Sequence, residues 1–342
     1  MNSIKCKNCG NILSYNPNNE SLTCDYCESI VPINDEAQLN TKKDYNSSVK
    51  FDETVINQFH CISCGSNLSA VKDSNVKRCP NCGSTELKLT NNISYVPDGI
   101  IPFKISKERA TANFYEWIKK RKFAPNDLKK LAKLGKLSGL YTPVWNFDCK
   151  THSTYKGIGV DEEKDSDGNV STTSYHFSGE LNNSYTDIMM SANKNISNVT
   201  LNSLGNFGLN NLKVYNPVYL CGFIGSDIDF DIHTSYKNFE TFVKNSDASK
   251  AKSIYSTRYD KIENFSCNTT IYSPKYNYIY LPIWTNFYTY KDKKYTCYVN
   301  GYSGKVYGKS PKSFWKIFFL CLGIGLSVAI ISLIALLGGV TK

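Results

Sequence analysis

The chain contains 342 residues, a length that suits two or three small domains, or one large and one small domain. It carries 40 Lys and Arg against 30 Asp and Glu, a net charge of +10, and is therefore mildly basic. The hydrophobic fraction of 41% is too low for a polytopic membrane protein, and the aromatic fraction of 13% is too high for a disordered chain.

Four Cys-x2-Cys pairs lie in the N-terminal region. The first two pairs form one set and the last two form another, and each set has 14 residues between its inner cysteines. The second set repeats the first at an offset of 55 residues. The eight cysteines are Cys6, Cys9, Cys24, Cys27, Cys61, Cys64, Cys79 and Cys82.

This spacing predicts two zinc ribbons, each with one structural Zn ion. A Cys-x2-Cys turn presents two thiolates to one ion, and a hairpin brings the second pair over the same ion. Glycine follows Cys9, Cys64 and Cys82, where a tight knuckle commonly needs a positive φ. Four thiolates complete each site and leave no position for a catalytic water. Because so small a ribbon has almost no core, zinc binding and folding are expected to be one event.

Other roles for these cysteines fit the sequence less well. The N-terminal segment MNSIKCKNCGN has no apolar run, so no signal peptide is expected and the ribbons would lie in a reducing cytoplasm, which does not sustain disulfides. A redox Cys-x2-Cys motif is expected at a strand-to-helix junction rather than in two copies at ribbon spacing. His60 is expected on the surface, because four thiolates already complete the second site.

The ribbons are predicted to span residues 1–33 and 55–92, joined by a polar segment, 34–54, that is typical of a flexible linker. Residues 1–90 contain nine basic and ten acidic residues, a net charge of −1. Proteins that bind nucleic acid concentrate positive charge where they touch phosphate. The charge of the ribbons therefore favours a protein contact or a spacer role.

A basic region with helical periodicity follows the ribbons. Apolar residues recur at helical spacing in the segment 105–122, and a second, shorter amphipathic helix is predicted over 127–137. Between Lys104 and Lys136 there are eleven basic and three acidic residues, a local charge of +8. Such a patch could contact anionic lipid headgroups, nucleic acid or an acidic partner, or it could be a solvated helix face.

From Gly139 the pattern changes to alternating apolar and polar residues, which predicts strands. The motif Tyr-x-Pro-x-Trp occurs at 141–145 and again at 280–284, each time within a strand-like segment. Further elements expected here are a hairpin tip, a strand and an amphipathic helix, at 161–169, 215–225 and 231–257 respectively. The arrangement predicts a pseudo-repeated α+β domain, residues 93–310, built on an antiparallel sheet.

The sequence contains no recognisable catalytic constellation, so the chain is predicted not to be an enzyme. The glycine-rich segment 300–308 lacks the glycine arrangement of a Walker A motif, and the tip at 161–169 lacks the bidentate Glu of a calcium loop. The four histidines lie in no metal or nucleophile motif, at positions 60, 152, 176 and 233. The remaining soluble cysteines are not paired at ligand spacing and fit buried apolar positions better than a third metal site: Cys149, Cys221, Cys267 and Cys297.

A transmembrane helix is predicted over 314–340. Within it, Ile317–Val340 are 24 consecutive uncharged residues, which as a helix would be about 36 Å long and would cross a hydrocarbon core of roughly 30 Å. Trp315 stands where an interfacial aromatic residue is expected. Lysines precede the span, at positions 305, 309, 312 and 316, and by the positive-inside rule they place the N-terminal part in the cytoplasm.

Small residues could allow the transmembrane helix to pair with another copy. Gly323 and Ser327, and likewise Gly325 and Ala329, have the small-xxx-small spacing that lets membrane helices approach closely. The sequence is therefore compatible with oligomerisation through this helix.

The assembled motifs resemble a Firmicute family of TFIIB-type zinc ribbon-containing membrane proteins, sometimes labelled primosomal or replication-helicase-like. The likeness covers nearly the whole chain and rests on the paired ribbons, IIPFKISKERA, KFAPNDLK, LYTPVWNFD, YLPIWTNFYTYKDKKYTCYVNGYSGKVYGKSP and the terminal apolar helix. Some members are encoded beside phage-shock-type and virion-core-type proteins. The resemblance implies that such partners are tethered to the membrane under envelope stress, and it carries over only the eight zinc ligands.

The sequence thus favours a tail-anchored, cytoplasm-facing scaffold whose zinc ribbons recruit a soluble protein partner to the membrane. The alternative is a membrane-tethered nucleic-acid-binding protein, of a replication or transcription type, that uses the basic segment 104–136. Binding that falls steeply with salt would favour the alternative.

Overall fold

The structure is a computed structural model, and it describes residues 5–34, 37–45, 51–52, 56–71, 76–90, 94–128, 137–166, 168–291 and 293–339. The second helix expected at 127–137 lies for the most part outside these residues.

The strands within the described residues are β1 (Leu13–Asn16), β2 (Ser21–Cys24), β3 (Ile30–Val31), β4 (Lys43–Asp44), β5 (Phe51–Asp52), β6 (Ile56–Cys61), β7 (Asn67–Val71), β8 (Leu87–Thr90), β9 (Ser94–Tyr95), β10 (Gly99–Ile100), β11 (Leu137–Lys164), β12 (Val170–Ser191), β13 (Lys213–Val214), β14 (Ile224–Ser226), β15 (Lys261–Tyr290), β16 (Lys293–Asn300) and β17 (Val306–Gly308).

The helices are α1 (Lys107–Lys119), α2 (Asn198–Leu204), α3 (Ile232–Tyr255) and α4 (Phe314–Gly339). The predicted α+β architecture is confirmed, α1 and α3 fall within the helices expected from periodicity, and α4 falls within the segment 314–340 expected from its apolar composition. The strand expected at 215–225 is correct only at its end, where β14 lies. Pro217–Leu220 is instead a turn of 3₁₀ helix, because Pro217 stands at its first position and the Asn216 side chain accepts a hydrogen bond from the Val218 amide.

Two long antiparallel strands, β11 and β15, form the centre of a 12-stranded sheet, and their register changes at a bulge between Asp148 and Lys150. On one side of the bulge, Leu140–Phe147 and residues 276–286 are buried throughout, and we call this part the proximal half. On the other side, buried and exposed residues alternate along β11, and we call this part the distal half. A continuous buried run indicates that both sheet faces are covered, whereas alternation indicates one covered face.

The two Tyr-x-Pro-x-Trp motifs are neighbours related by a local twofold axis. Tyr141 pairs with Pro282 and Pro143 pairs with Tyr280, so the Thr142–Leu281 pair marks the axis. The flanking strands obey the same symmetry, since β10 runs parallel to β15 and β14 runs parallel to β11. The pseudo-repeat expected from sequence is therefore confirmed, and its sheet contains two parallel pairs within an otherwise antiparallel arrangement.

The two motif tryptophans contact the helices across this axis. The Trp145 indole N–H donates to the carbonyl of Phe230, immediately before the α3 N-cap residue, at 3.0 Å. The Trp284 indole N–H donates to the carbonyl of Ile105, immediately before the α1 N-cap residue, at 2.8 Å. Each half of the repeat thus orients the helix of the other half, which makes the two halves mutually dependent.

The first ribbon packs on the proximal half through side chains and one backbone bond. Its own sheet has three strands, β1 to β3. The Tyr15 amide donates to the carbonyl of Cys221 at 2.9 Å, and the Tyr15 hydroxyl donates to the carbonyl of Phe103 at 3.2 Å. Leu13 and Leu22 of this ribbon belong to the main hydrophobic core.

The second ribbon is continuous with the main sheet. Strand β7 pairs with β14 through Leu68 and Ser69, and β6 pairs with both β7 and β8. The Thr285 hydroxyl of β15 also donates to the carbonyl of Pro80 in the ribbon, at 2.7 Å.

The segment 34–54, expected to be a flexible linker, differs from that expectation in its described residues. Strand β4 pairs with β15, and the Leu39 amide donates to the carbonyl of Leu212 at 2.9 Å. Lys42 forms ion pairs with Asp148 and Asp187. Among its described residues, β4 and Leu39 thus pair their backbone with other parts of the chain, although the composition is polar.

Helix α3 covers one face of the distal half. Its buried residues recur every four positions, at Phe239, Val243, Asp247 and Ala251. Asp247 is a carboxylate within an otherwise apolar helix face, and it accepts hydrogen bonds from the Ser153 hydroxyl at 2.8 Å and from the Asn183 amide at 2.6 Å. The helix is thus attached to β11 and β12 by polar contacts as well as by apolar packing.

Candidate metal centres

All four Cys-x2-Cys turns share one backbone geometry. The amide of the first cysteine donates to the carbonyl five residues later, at distances between 2.7 and 2.9 Å. The amide four residues after the first cysteine donates back to that cysteine's carbonyl, at 2.8 to 3.0 Å. The donors of this second bond are Gly10, Glu28, Gly65 and Gly83. Each knuckle therefore holds its two sulfurs on the same side of a tight loop.

A positive φ is required at the residue that follows each knuckle. Gly10, Gly65 and Gly83 have φ between 68° and 79°, as glycine does without steric cost. Glu28 occupies the equivalent position with φ 59°, in the left-handed region that side chains disfavour. The knuckle of Cys24 and Cys27 is therefore strained where the other three are not.

The eight cysteines predicted as ligands lie in two clusters of four. In the first cluster Sγ of Cys6 lies 3.5 Å from Sγ of Cys27, and Sγ of Cys9 lies 3.5 Å from Sγ of Cys24. The corresponding distances in the second cluster are 3.6 Å between Cys61 and Cys82 and 3.7 Å between Cys64 and Cys79. Tetrahedral ligands with metal–sulfur bonds of about 2.3 Å stand about 3.8 Å apart. The two sulfur sets therefore have the size of a tetrahedral metal site.

Two serine hydroxyls next to the sulfurs were not recognised from sequence. The Ser29 hydroxyl lies 3.0 Å from Cys27 Sγ, and the Ser66 hydroxyl lies 3.1 Å from Cys64 Sγ. Ser29 lowers the pKa of the Cys27 thiol to about 6, which favours the thiolate that a metal requires. The sequence signal was present, because serine stands two residues after Cys27, Cys64 and Cys82.

The two centres differ in exposure. Cys9 and Cys27 are exposed, whereas the corresponding Cys64 and Cys82 are half-buried. Burial raises the pKa of the Cys79 thiol, so a bound cation is what would hold this sulfur as a thiolate at neutral pH. The second site is therefore the more enclosed of the two.

Two apolar side chains near the cysteines of the first ribbon are exposed. Tyr26, between the two cysteines of one knuckle, is 78% exposed, and Ile30 on β3 is 61% exposed. On the second ribbon Ile62 and Leu89 are exposed to a similar degree, 64% and 58%. Both ribbons therefore present exposed apolar side chains.

Neither sulfur cluster includes a histidine or one of the cysteines from the central sheet. His60 is bonded to Asn67, His152 to Asn182 and His233 to Tyr45, at 2.8 to 2.9 Å, while His176 is exposed. Cys149, Cys221 and Cys297 are buried and Cys267 is half-buried. Burial raises the pKa of both Cys149 and Cys221 to about 12, which keeps these thiols neutral and apolar in character.

Helix α4 has the composition of a membrane span. Residues Phe314–Ser332 form a strongly apolar stretch, none of it buried against the rest of the chain. A buried core helix of similar composition would have its side chains covered by the protein. The chain therefore has one C-terminal helix that is long and apolar enough to cross a membrane.

The chain is similar to the uncharacterized protein YdjG of Bacillus subtilis (strain 168). The two are 24% identical over 320 residues, an alignment that covers 92% of each chain. No protein-family model and no solved structure matches the chain.

Proposed function

We propose that the chain is a single-pass, membrane-anchored scaffold whose two zinc ribbons recruit a soluble protein partner to the cytoplasmic membrane surface. The partner would be of the phage-shock or virion-core type, and recruitment would serve the response to envelope stress. In this proposal the protein has no catalytic activity of its own.

The donor sets support zinc as the metal. Four cysteine sulfurs at tetrahedral separations suit Zn²⁺ or an iron–sulfur centre, and the ribbon spacing favours a single Zn²⁺. Cys6, Cys9, Cys24 and Cys27 would hold one ion, and the remaining set, Cys61 to Cys82, would hold the other. Metal analysis of the purified full chain is expected to find two zinc ions per chain, and iron in their place would contradict the assignment.

The flanking charge supports the orientation. Helix α4 has 26 residues, which at 1.5 Å per residue give about 39 Å, enough to cross the hydrocarbon core with a tilt. Lys309 and Lys312 precede it on the exposed surface. By the positive-inside rule these lysines would hold the ribbons and the sheet in the cytoplasm.

The observation that carries the recruitment proposal is the exposed apolar surface of the first ribbon. Tyr26 and Ile30 are exposed although Leu13, Tyr15 and Leu22 of the same ribbon are buried against the proximal half. Large exposed aromatic and aliphatic side chains on a rigid support are the anchors that protein interfaces use. The net charge of −1 over residues 1–90 favours a protein over nucleic acid as the occupant.

The test is affinity purification of the full chain from detergent-solubilised membranes, with and without nuclease. We expect a stoichiometric protein that survives nuclease and is lost when Tyr26→Ser and Ile30→Ser are combined. The matched control combines Val199→Ser and Ile254→Ser, which removes apolar side chains that are 65% and 50% exposed from positions outside the ribbons. Zinc content is measured for each variant, so that loss of capture is not mistaken for loss of the ribbon.

Two results would contradict this proposal. Capture that is unchanged in the Tyr26 and Ile30 variant would exclude the first ribbon as the docking surface. Recovery of nucleic acid, with all bound protein lost after nuclease, would favour the alternative function based on the basic segment 104–136.

A further inference from the structure

Basic side chains from three distant segments converge at the start of α4. The segments are 119–127, which begins at the last residue of α1; 290–294, which joins the end of β15 to the start of β16; and 309–316, which runs into the first residues of α4. The Ser313 amide donates to the carbonyl of Phe123 at 2.8 Å. The Lys316 ammonium donates to the carbonyl of Ala124 at 2.7 Å. The first turn of the apolar helix is thus fixed to the end of the α1 region.

The end of β15 is attached to the same place. The Tyr290 hydroxyl donates to the Asp127 carboxylate at 3.0 Å, and its ring packs against Ala124 and Leu128. The Tyr288 hydroxyl donates to the carbonyl of Lys309 at 3.0 Å. The three segments therefore form one continuous surface around the base of α4, which we call the collar.

The collar is strongly basic and exposed. Its three segments contain ten Lys and Arg and two Asp, Asp127 and Asp292. Every basic residue of the collar is exposed except Lys316, which is half-buried. Asp127 accepts the hydrogen bond from Tyr290. The positive charge consequently faces outward around a helix that has membrane-spanning composition.

The collar also contains exposed aromatic side chains. Phe123 is 39% exposed, Phe314 is 71% exposed and Trp315 is 64% exposed. Aromatic rings next to lysines, at the point where an apolar helix begins, match the interfacial layer of a bilayer, which is apolar on one side and anionic on the other. Because α4 would enter the bilayer at this point, the membrane would occupy the space from which nucleic acid could approach these charges.

We propose that the collar binds the headgroups of anionic phospholipids in the leaflet that α4 enters. This rests on the membrane insertion of α4 in the proposed function, and it adds a lipid site made by parts of the chain that are far apart in sequence. Lysine and arginine near an anionic surface are attracted by its negative potential, and the attraction decays within a Debye length. Because the collar is built on α1 and on the end of β15, lipid binding would also fix the direction of the sheet relative to the membrane.

The probe is dioleoyl phosphatidylglycerol, with dioleoyl phosphatidylcholine as the neutral lipid, added to the full chain in a neutral detergent and counted by native mass spectrometry. We expect retention of phosphatidylglycerol over phosphatidylcholine. Replacing Lys119, Lys120, Arg121 and Lys122 together with glutamine is expected to weaken phosphatidylglycerol binding at least about tenfold, since each residue contributes roughly a fivefold effect at a charged surface before screening.

Matched variants separate charge at the collar from charge elsewhere. The control combines Lys237→Gln, Lys244→Gln, Lys252→Gln and Arg258→Gln, which removes the same charge from exposed positions on or just after α3. The control is expected to retain wild-type lipid binding. A second collar variant, Lys291→Gln with Lys293→Gln and Lys294→Gln, preserves the contact of Arg121 with Trp117 and is expected to weaken binding in the same direction.

Three outcomes would overturn the lipid site: equal retention of both lipids, unchanged binding in both collar variants, or collar-dependent binding of an oligonucleotide without binding of phosphatidylglycerol. Extraction of membranes with alkaline carbonate is carried out in parallel. If the wild-type chain is released, the anchor in the proposed function fails. If all variants stay in the membrane while lipid selectivity is absent, only the collar fails.

Discussion

The proximal and distal halves of the central strand pair are made of the same two strands but are stabilised differently. In the proximal half the strands are buried on both faces, by the ribbons and by the segments around α1 and α2. In the distal half α3 covers one face and residues such as Thr154 and Asn268 on the other face are exposed. The proximal half therefore depends on apolar packing against the ribbons and two helices, and the distal half on the packing and polar contacts of the single helix α3.

The difference also separates two parts of the molecule in space. Strand β15 ends at Tyr290, within the collar, and begins 29 residues earlier at Lys261. At about 3.3 Å per residue the strand spans up to roughly 95 Å. The proximal half therefore lies near α4, while the distal half projects away from it.

The largest effect is expected from removing the second metal centre. Cys61→Ser with Cys64→Ser removes two ligands from a site whose zinc would contribute on the order of 10 kcal/mol of folding free energy. Because β7 of this ribbon pairs with β14 of the main sheet, we expect the loss to disturb the environments of Trp145 and Trp284. Near-ultraviolet circular dichroism of the full chain in detergent measures that change.

The first ribbon supplies the matched comparison. Cys6→Ser with Cys9→Ser removes two ligands from the ribbon that has its own sheet. We expect a smaller change in the tryptophan signal and faster proteolysis confined to the first ribbon. Equal disturbance by both pairs of substitutions would show that backbone continuity with the sheet makes no difference.

A smaller but still large effect is expected at Trp145, in the proximal half. Its side chain is buried, and it packs on Tyr276 and Tyr278 with ring centroids 5.8 and 5.1 Å away. Trp145→Ala is expected to cost about 3–5 kcal/mol, because it leaves a cavity and removes the hydrogen bond to Phe230. Chemical denaturation in detergent measures the loss. Trp145→Phe is expected to recover part of the loss, and no difference between the two variants would contradict the cavity argument.

These elements differ in how far the sequence could predict them. The ribbon ligands, α1 and α3 could be predicted, because cysteine spacing and helical periodicity are patterns within short stretches of the sequence. The Tyr-x-Pro-x-Trp repeat also indicated two related strands. What it did not indicate was that the two copies pair with each other, since register depends on contacts between residues about 140 positions apart.

Backbone pairing explains most of what was missed. Strand β7 pairs with β14, and β4 pairs with β15, through backbone amide and carbonyl groups. Because nearly every residue carries these groups, the amino-acid composition does not indicate which strands pair. Asp247 was missed for a different reason. A carboxylate in an apolar helix face interrupts the pattern that predicts burial, and its partners Ser153 and Asn183 lie 94 and 64 residues away.

An intermediate effect, with a pH dependence, is expected at Asp247 in the distal half. Burial opposes its ionisation, but hydrogen bonds from Tyr185, Ser153 and Asn183 outweigh burial and hold its pKa below the usual value. The resulting stabilisation is present above the unfolded-state pKa, about 3.9, and is lost as the pH falls through the folded-state pKa. Asp247→Asn is expected to cost about 2–3 kcal/mol at neutral pH, because hydrogen bonds to a charged acceptor are lost.

The measurement is thermal unfolding of the wild type and of Asp247→Asn between neutral pH and pH about 3. The difference in stability is expected to shrink as the pH falls below about 3.9, because the unfolded wild type then binds a proton that the folded carboxylate resists. A difference that stays constant over this range would show that Asp247 acts through packing alone.

The smallest effects test the two faces of the distal half at adjacent positions. Ser153 is buried under α3 and donates to Asp247, whereas Thr154, the next residue of β11, is exposed on the opposite face. Ser153→Ala is expected to cost about 1–2 kcal/mol, since it removes a hydrogen bond to a buried carboxylate. Thr154→Val keeps the β-branched shape and is expected to change stability by less than about 0.5 kcal/mol. Equal costs at the two positions would mean that the second face is also covered, and the contrast between a half buried on both sides and a half attached on one side would no longer hold.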